Sequence, residues 1–125
     1  MNKKRPVNLD IGTIRLPITA YVSILHRISG VALFFATAVL LWALDTSLSS
    51  PEGFSAVQEC FQSAVGKVVL LLILAGLVYH TIAGIRHLLM DAGVGESLEG
   101  GRAGAKLALA LAIVLFVILA GVWVW

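Results

Sequence analysis

The last stretch of the chain, Leu107–Trp125, carries no charged residue and is as long as a bilayer is thick. A hydrocarbon core of about 30 Å needs about 20 mostly apolar residues in a helix. Two further stretches meet that length: about Ala20 to Leu44, with an uncharged core from Ile28 onward, and Val68 to about Met90, uncharged as far as Ile85. Backbone amides in hydrocarbon must bond within their own structure, so only helices or closed barrels can span. The apolar/polar alternation of a barrel strand is missing, which leaves helices. The expected fold is all-α, a single membrane-anchor domain over residues 1–125 with transmembrane helices at about 20–44, 68–90 and 107–125.

Composition supports this reading. The chain is 59% hydrophobic and 13% charged, against about 45–50% and about 25% in a typical soluble domain. Too few polar side chains exist to coat a small core in water, which argues against a free-standing soluble enzyme, and intrinsic disorder is excluded. A net charge of +2 does not point to nucleic acid. The single Cys60 has no partner for a disulfide or a CxxC motif. The basic residues Lys3, Lys4 and Arg5 run into Pro6, Asp10 and Arg15 instead of an apolar segment, which argues against a cleaved signal peptide.

Charge sets the expected orientation. Lys3, Lys4, Arg5, Arg15 and Arg27 precede or open the first apolar stretch, and Arg86, Arg102 and Lys106 flank the second connection. The first connection, Asp45–Lys67, carries Asp45, Glu52 and Glu59, with only Lys67 at its far edge. The positive-inside rule then places the N-terminus in the cytoplasm and the C-terminus outside. Trp42, Trp123 and Trp125 fall together at the outer interface, where an aromatic belt is expected.

Ionisable residues inside spans are costly and mark functional sites by default. Here they form two helical stripes. Ser23, His26, Arg27 and Gly30 follow the i, i+3, i+4, i+7 spacing of one face, and His80, Gly84, His87 and Asp91 share a face of the second span. Both stripes lie toward the cytoplasmic end, which suggests one site between two helices. Plainer readings exist for most of them. Arg27 and Arg86 can snorkel to headgroups, Asp91 can be a loop residue past a helix end, and Ser23 can bond back to its own helix. His80 is harder to dismiss, because it sits roughly 15 Å along the helix from Met90 at about 1.5 Å per residue. A neutral imidazole at that depth needs a metal or an interhelical hydrogen bond.

Haem suits these residues better than zinc or copper, which need three or four close ligands. His80 and His87 are separated by about 10.5 Å along the axis at about 1.5 Å per residue, so they cannot face each other across one iron. A second ligand comes from His26 or from a partner subunit. Gly84, one turn from His80, leaves room for a flat macrocycle. Arg27, His26 and His87 lie where propionates can be met.

The segment RPVNLDIGTIRLPITAYVSILHRISGV (residues 5–31), the SPEGF of the first connection and the run HTIAGIRHLLMD (His80–Asp91) resemble the cytochrome b556 subunits of bacterial succinate dehydrogenase. The likeness covers essentially the whole chain. Its patterns S-x-x-H-R-x-S-G and H-x-x-x-G-I-R-H-x-x-x-D are specific when taken together. It implies half of a multi-subunit transmembrane helix bundle, with His80 as the axial ligand of haem b and a second histidine from a partner anchor subunit. It implies ubiquinone contacts for Ser23 and Arg27, a proton-relay role for Asp91, and places for His26 and His87 as haem-propionate neighbours. The implied partners are the second anchor, an iron–sulfur subunit and a flavoprotein subunit. The chain has no Gly-rich dinucleotide fingerprint, so flavin chemistry and succinate oxidation belong to others. Two alternatives stay open: the anchor of a quinol:fumarate reductase, and a structural membrane protein whose histidines only bond between helices.

Overall fold

The computed structural model describes residue 7 and residues 9–125. The basic residues Lys3, Lys4 and Arg5 lie outside the described residues, as does the start of the segment that carries the resemblance. The described residues form four helices and no strand: α1 (Ile18–Ser49), α2 (Pro51–Gln62), α3 (Ala64–Asp91) and α4 (Leu98–Leu119), the last prolonged by one π-helical turn, Ala120–Val124. Three of these, Ile18–Ser49, Ala64–Asp91 and Leu98–Val124, are long and apolar enough to cross a membrane.

The helices run past the apolar stretches because serines restart them almost without a gap. Ser50 alone separates α1 from α2, and Ser63 alone separates α2 from α3, each with extended backbone. Pro51 disfavours helical geometry at Ser50 and is preorganised for the first position of α2. Ser50, Ser63 and Ser97 each accept a hydrogen bond from the backbone N–H three residues on, at Gly53 (2.9 Å), Gly66 (3.0 Å) and Gly100 (2.9 Å). Such caps satisfy amides left free at a helix start. Glycine at the third position has a steric reason. A Cβ on Gly53 would run into the Thr46 carbonyl, and one on Gly66 into the Cys60 carbonyl. The polar first connection is therefore mostly helix. Its cap signals, S-P-E-G and S-A-V-G, are local, but its lack of an apolar stretch concealed them.

Between α3 and α4 the chain turns on Gly93 (φ 89°) and Gly95 (φ 71°), left-handed positions where a side chain would be strained. The Val94 N–H donates to the Leu89 carbonyl at 2.9 Å and the Gly93 N–H to the Met90 carbonyl at 3.0 Å, which closes the end of α3. The helix α4 then starts at Leu98, well before the apolar stretch at Leu107. Its Gly-rich first turns survive because they pack. Gly101, Ala105, Ala108 and Ala112 are all buried along one stripe of α4, the small-residue seam that lets membrane helices approach closely.

The core is small. Val22 of α1, Ala83 of α3 and Ala105 of α4 meet at its centre, 1%, 3% and 0% exposed, with Ile18, Tyr79 and Leu109 packed around them. Most large apolar side chains, Phe34, Leu72, Ile113 and Val117 among them, face outward. That inverted distribution suits a chain whose outer surface meets lipid and other apolar helices. At the end opposite the Gly93 turn, the Lys67 ammonium lies 4.6 Å from the centre of the Trp125 ring. The one basic residue set apart from the others thus sits with two of the three tryptophans, Trp123 and Trp125.

Candidate functional site

The two polar stripes meet. The helices α1 and α3 are neighbours, and the imidazoles of His26 and His80 stack between them with centroids 4.2 Å apart and planes 11° from parallel. His87 continues the file on the other side, 6.4 Å from His26 and 20° from parallel. The exposed Nε2 of His87 lies 3.8 Å from Oδ2 of Asp91, one turn further along α3. The order is His80, His26, His87, Asp91, running from within the helix pair toward the end of α3.

Glycines make the stack fit. A Cβ on Gly30 would stand 3.0 Å from Cε1 of His80, and one on Gly84 would stand 3.3 Å from Nε2 of His26. The space that Gly84 opens beside α3 is thus taken by the His26 ring. His80 is held at one edge. Its Nδ1 lies 3.0 Å from the His26 carbonyl oxygen and 3.0 Å from Oγ of Ser29. The Ser29 hydroxyl itself donates to the same His26 carbonyl at 2.8 Å. One helix turn of α1 therefore presents two polar groups to one nitrogen of α3.

Ser29 was not singled out from sequence, although it lies inside the S-x-x-H-R-x-S-G pattern, three residues after His26. Its burial, 9% exposed, is unusual for serine in so open a structure. Tyr79 is a second such residue. Its hydroxyl donates to the Val22 carbonyl at 2.6 Å and ties α3 to α1 one turn from the stack. Arg86 does more than snorkel: its Nη2 donates to the Gly101 carbonyl at 3.1 Å, linking α3 to the first turns of α4.

The remaining sequence-derived residues are less tightly gathered. Ser23 is half-buried on α1, one turn before His26, and Arg27 is exposed beside it. Asp91, the last residue of α3, is exposed, and the side chain it approaches is His87, at 3.8 Å, rather than Ser23 or Arg27. No group of three or more His, Cys, Asp or Glu is arranged for a bare metal ion among the described residues. An apolar cavity of about 390 Å³ lies elsewhere, between α3 and α4, lined by Ile82, Ile85, Leu89, Leu107 and Leu111 beside Arg86. The histidine file is the polar constellation; that cavity is a separate feature on another face of α3.

Three long apolar helices with a file of imidazoles held between two of them define a membrane-spanning helical subunit that carries a polar site within its apolar layer. The chain belongs to the succinate dehydrogenase/fumarate reductase transmembrane subunit family, whose family model matches residues 1–119. It is 37% identical to the succinate dehydrogenase cytochrome b556 subunit of Coxiella burnetii, over all of both chains. It is 33% identical to the cytochrome b556 subunit of Paracoccus denitrificans, over 91% of this chain and 88% of that one. The succinate dehydrogenase cytochrome b560 subunit of Reclinomonas americana is 32% identical over 79% of this chain and 72% of its own.

Proposed function

We propose that the chain is a membrane-anchor subunit of succinate:ubiquinone oxidoreductase, holding haem b through His80 and forming part of the ubiquinone site through Ser23 and Arg27. The relatives are named cytochrome b556, a name that implies a b-type haem. The observation that carries the reading is the environment of His80. A carbonyl oxygen only accepts, so the 3.0 Å approach of Nδ1 to the His26 carbonyl favours the tautomer with the ring proton on Nδ1. Nε2 is left with its lone pair, the form in which histidine binds a metal while its other nitrogen donates to a carbonyl. The residues fit the group.

Haem b, when bound, supplies one-electron redox capacity near the quinone. Haem b held by His80 would need a second histidine, which a partner anchor subunit would supply. His26 is unsuited to that role, because stacked rings direct their nitrogens side by side and not toward a shared ion. His26 and His87 instead flank His80 toward the polar end of α3, where they would be available to donate to haem propionates. Ser23 donates its hydroxyl to one quinone carbonyl, and Arg27 stabilises negative charge that develops on the headgroup. Asp91, exposed and beside His87, exchanges protons with the cytoplasmic water. Electrons reach this site from an iron–sulfur subunit fed by a flavoprotein subunit. The orientation is N-terminus cytoplasmic, C-terminus periplasmic. Succinate oxidation is preferred over fumarate reduction because the named relatives are succinate dehydrogenase subunits.

The test uses the detergent-extracted complex. Wild type is expected to show a b-type reduced-minus-oxidised spectrum that His80→Ala alters or removes. Ser23→Ala and Arg27→Ala are expected to lower quinone reduction while succinate oxidation by an artificial acceptor persists. An unaltered spectrum in His80→Ala sinks the ligand assignment. Undiminished quinone reduction in both other variants sinks the quinone assignment.

A further inference from the structure

Three short contacts close around one edge of the His80 ring. Nδ1 is 3.0 Å from the His26 carbonyl oxygen, 3.0 Å from Ser29 Oγ, and the Ser29 hydroxyl donates to that same carbonyl at 2.8 Å. With its proton directed at the carbonyl, Ser29 turns a lone pair toward Nδ1. Both neighbours of Nδ1 are then acceptors, and its proton is shared between them. Ser29 is 9% exposed, so its oxygen is shielded from water that would compete.

We propose that Ser29 is a positioning residue for the haem ligand: its oxygen, with the His26 carbonyl, fixes His80 as the Nδ1–H tautomer and orients Nε2 as the donor to the metal. The inference rests on the reading of His80 as an axial ligand and adds a residue that acts through it. An acceptor on the far nitrogen of a metal-bound imidazole orients the ring and strengthens its donation to the metal. Stronger donation favours ferric over ferrous iron, so the acceptor lowers the haem midpoint potential. The geometry of α1 makes this possible, because a residue three positions after His26 lies over the same turn whose carbonyl faces His80.

The experiment compares the whole extracted complex with Ser29→Ala, Ser29→Thr and Ser29→Cys. Loss of the acceptor in Ser29→Ala leaves the His26 carbonyl in place, so haem stays bound. Its midpoint potential is expected to rise, and its retention against transfer to an apo-haem acceptor protein to fall about tenfold, the lower end of such effects. Ser29→Thr keeps the hydroxyl and restores the wild-type potential. Ser29→Cys, close in volume and a weaker acceptor, gives an intermediate rise, and it decides the matter if Ser29→Ala does not assemble. A haem-containing Ser29→Ala or Ser29→Cys complex with wild-type potential and retention overturns the proposal. So does a Ser29→Thr variant shifted as far as Ser29→Ala. Failure of the underlying reading looks different: wild type lacks the haem spectrum, or His80→Ala retains it.

Discussion

The imidazoles of His26 and His80 lie face to face, 4.2 Å apart and within 11° of parallel, although they come from different helices. A stack this close needs a missing side chain beside each ring. Gly30 of α1 provides it for His80 and Gly84 of α3 provides it for His26. The two glycines therefore have different importance for the ligand.

Gly30→Ala is expected to disturb haem binding more than Gly84→Ala. The added methyl at Gly30 would stand 3.0 Å from Cε1 of His80, a ring held by two hydrogen bonds and unable to yield freely. Overpacking of this kind costs about 1–3 kcal/mol, which corresponds to roughly 5–150-fold in an equilibrium. The methyl at Gly84 meets Nε2 of His26 at 3.3 Å and leaves His80 untouched. Haem content per complex, read from reduced-minus-oxidised spectra, should fall in the first variant and stay near wild type in the second. The reverse order would mean that the space between Gly84 and His26, and not the Gly30 side of His80, governs haem binding.

Tyr79→Phe should cost stability without changing the haem spectrum. It removes the 2.6 Å bond to the Val22 carbonyl and leaves the hydrogen-bonding groups at Nδ1 of His80 in place. Hydrogen bonds between membrane helices average about 0.6 kcal/mol and reach about 1.7 kcal/mol. Thermal unfolding of the extracted complex checks the loss, and the absorbance of the same sample checks that the haem environment is preserved.

Ala105→Leu should separate α4 from the other two helices. Ala105 is 0% exposed and touches the junction of Val22 and Ala83, with no room for three more carbons. A loss of about 1–3 kcal/mol is expected, seen as a lower unfolding temperature. Faster proteolysis in the Gly93–Ser97 turn should accompany it. An unchanged unfolding temperature would show that the small-residue stripe is not the packing seam.

The helices were legible because their signals are local. Bilayer-length apolar runs, the periodicity of Ser23–Gly30 and of His80–Asp91, and the excess of basic residues around two segments can each be read without a neighbour. The helix α2 was less legible, since its twelve residues carry no apolar run and announce themselves only through Ser50, Pro51 and Glu52. Ser29 and Tyr79 were not legible as site residues. A serine and a tyrosine inside apolar helices have many harmless reasons to be there, and their partners lie 51 and 57 residues away.

The sequence by itself determined how many helices this chain can lay across a membrane and which face of each carries the polar side chains. Hydrophobic length and a period of 3.6 residues suffice for that. Which polar face meets which was decided only by the tertiary structure. Close approach at Val22, Ala83 and Ala105 sets the rotation of each helix about its axis, and that rotation turns the His26–Gly30 segment of α1 onto the His80 face of α3. The pairing of Ser29 with His80 is a product of that packing, because no periodicity within one helix specifies what stands opposite it.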